Sequence, residues 1–188
     1  MPPTTGTYID VVSPLDGEVV GKVAMSGADD VNSALTAANA ALAGWQAKTV
    51  KERAKIMFRF HNLIVENSDT LADLIVLENG KTKAEALGEV AKGNETVEWA
   101  CSLPQLMMGG YLEVSRGVTC KEIIDGLGVV ASVVPFNFPF MVPMWTVPIA
   151  LVTGNCVICK PSEKVPLTMN YTAKLFKEAG FPDGVFQV

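Results

Sequence analysis

From Gly126 to Cys159 the chain carries no charged residue, and Pro135, Pro139, Pro143 and Pro148 interrupt that run. A stretch this apolar must be buried, either in lipid or in protein, and the prolines decide between the two. Proline lacks the backbone donor and clashes with the preceding turn, so no proline-free piece reaches the roughly 20 apolar residues that a membrane-spanning helix needs. Asn137, Gly154 and Asn155 break the run further. The segment therefore reads as a buried strand, a tight turn and a buried helix, and no membrane association is expected.

That reading extends to the end of the chain. From Leu127 the pattern predicts a strand (LGVVASVV), a turn (PFNFP), a helix to Val152, a strand (CVICKP), a helix (PLTMNYTAKLFKEAG) and the start of another strand, VFQV. A β-α-β-α-β order implies a parallel sheet with crossover helices. A sheet stopping at its third strand would leave an exposed edge and half a ligand crevice, so the chain is expected to be a fragment of something longer.

Upstream, YIDVV and GEVVGKVAM alternate around SPLDG and predict a small hairpin or arm. Three or four amphipathic helices then fill residues 27 to 105. Ser26 with Asp29, Thr49 with Glu52 and Thr82 with Glu85 have capping-box spacing, and Val31, Leu35, Ala38, Leu42 and Trp45 mark one helical face. Asn79 and Gly80 signal a helix stop. After Pro104, YLEV and TCKEII flank SRG as a second hairpin, whose edges need covering by another chain or domain.

Composition removes several function classes. A chain of 188 residues with 49% hydrophobic content can bury an ordinary core, and 15 basic against 20 acidic side chains, without a Lys/Arg cluster, argue against a nucleic-acid partner. Cys101, Cys120, Cys156 and Cys159 have no framework spacing, and MPPTTGTYID lacks the regions of a signal peptide. A reducing, cytoplasmic location is expected. Cys156 and Cys159 lie three apart in a strand, on opposite faces, which reads as two structural thiols rather than a zinc or redox pair. His61 is the single histidine, so a self-contained Ser/His/Asp or Cys/His site is not expected, nor is a metal site. Neither GxGxxG nor GxxxxGK[ST] occurs.

Two polar features sit just past predicted strands, where open α/β sheets bind ligands. Lys160 and Glu163 of KPSEK could hold the vicinal hydroxyls of a ribose, or form a solvated loop with a helix-capping glutamate. Asn137 could hydrogen-bond backbone within its turn, or aim its amide into a cleft as an oxyanion donor.

Taken together, PFNFP, GN and KPSE, each in a strand-to-helix setting, resemble the NAD(P)-dependent aldehyde dehydrogenase superfamily over nearly the whole chain. SLPQLMMGG, PFNFPFMVPMW and KPSEKVPLT look most like its CoA-acylating methylmalonate-semialdehyde dehydrogenase branch. The resemblance implies an α/β fold: residues 1–110 as arm and helices packing on the NAD domain, 111–126 as an oligomerisation hairpin, and 127–188 as the first part of a Rossmann-like NAD-binding domain. It implies NAD as cofactor, CoA as co-substrate, an aldehyde substrate and a homo-oligomer, dimer or tetramer. In the family a cysteine thiolate attacks the aldehyde, hydride passes to NAD, and the thioester is released to CoA, with decarboxylation in this branch, or to water in hydrolytic members. By resemblance Asn137 is the oxyanion donor, Lys160 and Glu163 hold the adenosine ribose, Val134 and Phe136 approach NAD through backbone, and Lys164 is a neighbouring basic contact. The nucleophile's position lies beyond residue 188, so this chain alone is expected to be inactive, and a truncated, non-catalytic assembly subunit is the alternative. Where the branch typically has an arginine, the stretch KGNETVEW has Lys92, which keeps the charge and loses the bidentate fork.

Overall fold

The computed structural model describes residues 4–188. An antiparallel hairpin, β1 (Tyr8–Val12) and β2 (Val19–Ala24), leads into α1 (Ala28–Gln46), α2 (Val50–Glu66), α3 (Ser68–Asn79), α4 (Lys83–Cys101) and a single turn, α5 (Leu103–Leu106). A second antiparallel hairpin, β3 (Tyr111–Ser115) and β4 (Val118–Lys121), precedes the alternating unit β5 (Val129–Val133), α6 (Met141–Val152), β6 (Cys156–Lys160), α7 (Leu167–Ala179) and β7 (Phe186–Gln187). The last three strands form the expected parallel sheet, in the order β5-β6-β7. Among the described residues no helix is long and apolar enough to cross a membrane.

Local chemistry explains the helix boundaries. Thr49 with Glu52 and Thr82 with Glu85 form reciprocal capping boxes, each satisfying backbone donors that the first helical turn leaves open. The start of α1 differs from the expected Ser26–Asp29 pair by one residue: Gly27 is the cap, and its amide donates to Asp30 Oδ2 at 2.9 Å. Asp30 wins because it also accepts the Thr4 amide at 2.9 Å, which ties the arm to the helix. Gly80 ends α3 in the left-handed region at φ +80°, as the Asn-Gly signal predicts.

Helices and sheet share one core. Phe60 of α2 stacks on Phe176 of α7 with ring centroids 3.8 Å apart, and the buried Trp45 indole donates to the Leu151 carbonyl at 2.9 Å. The Arg53 guanidinium, buried beneath them, donates to the carbonyls of Val152, Trp45, Gln46 and Lys48, closing the C-terminal ends of α6 and α1. Asn155, from the GN pair, accepts the Gly128 amide at 3.0 Å and donates to the Ala150 carbonyl at 2.9 Å, which fixes the end of α6 against the start of β5. Both Cys156 and Cys159 are buried, so β6 is covered on both faces. On α1 only part of the expected apolar face is covered: Ala38 and Trp45 are buried, whereas Val31 and Leu35 are exposed. Every residue of β3 and β4 is exposed, including Tyr111, Leu112, Val114 and Val118.

Candidate functional site

The turns after β5 and β6 leave the carboxyl ends of adjacent parallel strands and touch one another. The Val134 amide donates to the Lys160 carbonyl at 3.1 Å, prolonging the ladder by one bond. Lys160 Nζ lies 3.4 Å from Glu163 Oε2, with both side chains more than half exposed. The Lys164 ammonium sits 5.0 Å from the centre of the Phe136 ring, a cation–π contact that bridges the two turns. The structure thus gathers Val134, Phe136, Lys160, Glu163 and Lys164 in one place, with Asn137 following Phe136. Hydrogen bonding from its own amide and from Lys160 holds the Glu163 carboxyl below the usual range, so it is an ionised acceptor at neutral pH. An anionic acceptor and an adjacent ammonium fit a diol, and the anion disfavours a further phosphate.

Asn137 itself is exposed, and among the described residues nothing hydrogen-bonds its side-chain amide. Its backbone, by contrast, is tied down. Lys81 Nζ donates to the Asn137 carbonyl at 2.7 Å, and Asn79 Nδ2 donates to the Phe136 carbonyl at 2.9 Å. Glu89 Oε1 accepts the amides of Phe140 and Met141 at 2.8 and 3.2 Å. The other carboxylate oxygen of Glu89 meets Lys81 Nζ at 2.5 Å, and Lys81 also lies 3.8 Å from the centre of the Phe138 ring. Gly93 makes room for this packing, because a Cβ there would meet the Phe140 ring at 2.7 Å.

The second crossover helix is held the same way. Glu78, 2% exposed, accepts the amides of Leu167 and Thr168 at 2.6 and 2.9 Å together with the Thr168 hydroxyl. Burial pushes its carboxyl above the usual range, against the lowering effect of those donors. Helix N-termini after parallel strands are ready anion sites. Here an internal carboxylate fills both of them, which accords with the missing glycine-rich phosphate motifs.

Sequence reasoning singled out neither Glu78, Glu89 nor Lys81. A signal existed: Glu89 lies on the buried stripe of Ala86, Val90, Gly93 and Val97, and Glu78 lies one turn beyond Ile75. A carboxylate on an apolar face needs a buried partner. Lys92 projects to solvent and pairs with Glu95 at 2.9 Å. Cys101 and Cys159 are buried, and their thiols are pushed up to about 12, chiefly by burial. Cys156 is buried and shifted in the same direction, while Cys120 is exposed on β4. Among the described residues no group of acidic, cysteine and histidine side chains could hold a metal ion.

Over residues 1–188 the sequence matches the Aldehyde dehydrogenase family. It is 45% identical over 180 residues to malonate-semialdehyde dehydrogenase 2 of Bacillus mycoides, covering 95% of this chain and 37% of that protein. It is 44% identical over 185 residues to malonate-semialdehyde dehydrogenase of Lacticaseibacillus casei, covering 98% and 38%. The crystal structure of methylmalonate-semialdehyde dehydrogenase from Oceanimonas doudoroffii superposes with a TM-score of 0.96 at 38% identity, over 99% of this chain and 38% of that one. An NAD-dependent aldehyde dehydrogenase from Sinorhizobium meliloti superposes with a TM-score of 0.95 at 35% identity, over 99% and 38%. The chain therefore spans well under half the length of these relatives.

Proposed function

Because this chain belongs to the aldehyde dehydrogenase family, we propose that it is the N-terminal part of an NAD-dependent, CoA-acylating malonate- or methylmalonate-semialdehyde dehydrogenase. The observation that carries the proposal is the free amide of Asn137, on a turn after β5 whose backbone is fixed, with the Lys160–Glu163 pair on the turn after the adjacent parallel strand β6. The similarity to malonate-semialdehyde dehydrogenases supports the choice of substrate class.

In this reading Asn137 donates from its amide to the oxygen of the aldehyde as a thiolate, supplied by the enzyme outside this chain, adds to the carbonyl carbon. A donor fixed in advance stabilises the developing charge without reorganising. Bound NAD supplies the hydride acceptor. Lys160 and Glu163 hold the adenosine ribose, Lys164 flanks it, and Val134 and Phe136 line the approach with backbone. Loss of the hydride to that acceptor would leave an acyl thioester, its free carboxylate would depart as CO₂, and the thiol of CoA would take the acyl group and release the enzyme sulfur. None of Cys101, Cys156 and Cys159 suits the nucleophile, since burial disfavours each thiolate.

The same reading divides the chain into arm and helices (1–110), an oligomerisation hairpin (111–126) and the first part of the NAD domain (127–188). The hairpin's exposed Tyr111, Leu112 and Val114 suit contact with a second copy. Four free thiols suit a reducing cytoplasm. The test is to assay the full-length enzyme with malonate semialdehyde and NAD, with and without CoA. Acyl-CoA and NADH should form together only when CoA is present; free carboxylate formed equally well without CoA would mark a hydrolytic enzyme and overturn the proposal.

A further inference from the structure

Asn79 and Gly80 form the helix stop that the sequence predicts, Lys81 follows them, and the function proposed above makes no use of the three. Gly80 turns the chain through the left-handed region, and both neighbouring side chains reach the same distant turn. Asn79 takes the Phe136 carbonyl and Lys81 takes the next carbonyl, that of Asn137. A helix stop needs only the glycine. Two consecutive carbonyls held by the residues on either side of it go beyond that need.

We propose that Asn79 and Lys81 are positioning residues for the Asn137 amide. The inference rests on the reading of Asn137 as the oxyanion donor. An asparagine side chain has two rotatable bonds, and its NH₂ can be placed only as well as the peptide that carries it. Both peptide planes flanking Asn137 have their carbonyls anchored, by Asn79 before it and Lys81 after it. Lys81 is itself fixed by Glu89, whose side chain is 1% exposed, and by the Phe138 ring. The chain of contact runs from the buried Glu89 through Lys81 to the Asn137 carbonyl, and the side-chain amide of Asn137 is left without a hydrogen-bond partner among the described residues. A misplacement of about 1 Å in a catalytic donor can cost roughly a hundredfold in rate. Lys81 makes no hydrogen bond to Phe136 or to the turn that carries Lys160 and Glu163, so NAD affinity should be indifferent to it, whereas Asn79 holds the Phe136 carbonyl on the stretch assigned to NAD.

The test is a double-mutant cycle in the full-length enzyme, using N79A, K81M, N137A and the combinations N79A/N137A and K81M/N137A. With Asn137 present, K81M and N79A should each lower kcat at least about tenfold, and K81M should leave the KM for NAD unchanged. In the N137A background neither should lower kcat further. Losses that multiply with that of N137A would overturn the inference while leaving Asn137 as the donor, as would single variants with undiminished kcat. If N137A itself keeps full activity, the reading of Asn137 fails and the inference falls with it. Should K81M not fold, judged by circular dichroism, N79A decides alone, since it removes a neutral and accessible side chain.

Discussion

Glu89 Oε1 accepts the Phe140 amide at 2.8 Å across 51 residues of sequence. The bond joins the second half of the helical segment to the first turn of α6, and Lys81 neutralises the carboxylate from the other side. Removing Glu89 would leave two amides without acceptors and a largely buried ammonium without its partner. Unmade buried hydrogen bonds cost about 1–3 kcal/mol each, and broken buried ion pairs about 3–5 kcal/mol. The E89A variant should lose about 3–5 kcal/mol in urea unfolding followed by far-ultraviolet circular dichroism. A loss under about 1 kcal/mol would show that Glu89 does not brace the turn.

Glu78 carries a pH signature that a neutral isostere lacks. Burial raises its folded-state value above the ordinary 4.5, overriding the donors of Thr168 and Leu167. With the native value above the unfolded one, the native state binds the extra proton. Its contribution is fully present below the unfolded value and is lost as pH rises through the native one. The stability of the native chain minus that of E78Q should therefore fall as pH is raised from about 4.5 toward neutrality. A difference that is flat, or that grows with pH, would contradict the raised value.

The thiols should separate sharply. Cys120 is exposed on β4, whereas Cys101 and Cys159 are buried and pushed up to about 12. At pH 8 a thiol with such a value is ionised in roughly one molecule in ten thousand. A chromogenic disulfide reagent should titrate one thiol rapidly in the native chain and four in denaturant. Fast reaction of a second native thiol would show that the core around β6 or α4 opens readily.

These tests concentrate on features that were hard to see in the sequence. The short, nearly continuous apolar runs GVVASVV and CVICK, and the reciprocal Thr and Glu of two capping boxes, are local signals, so β5, β6, α2 and α4 were legible in advance. The turns after β5 and β6 were equally plain, and the resemblance named the residues on them. Glu78 meets Thr168 across 90 residues and Lys81 meets Asn137 across 56. No periodicity encodes a partner at that distance. The displaced cap of α1 has the same origin, since Asp30 is chosen by Thr4 in the arm, 26 residues earlier. Val31 and Leu35 continue the apolar stripe of α1 without being covered, because periodicity marks which face could be buried and says nothing of how far a neighbour extends along it.

Lys160 and Glu163 offer the most direct test of the cofactor role. Both side chains are more than half exposed and their mutual contact is long at 3.4 Å, so neither contributes much to folding. K160A and E163A should leave thermal stability within about 0.5 kcal/mol of the native chain. In the full-length enzyme each should raise the KM for NAD by roughly tenfold or more, the cost of a hydrogen bond to a charged group. They should also diverge. E163Q removes the negative charge while keeping an acceptor, so it should narrow the preference for NAD over NADP, whereas K160A should not. Measuring kcat/KM for both nucleotides in each variant settles the matter: equal losses for NAD and NADP in E163Q would mean that Glu163 does not face the ribose 2′ position.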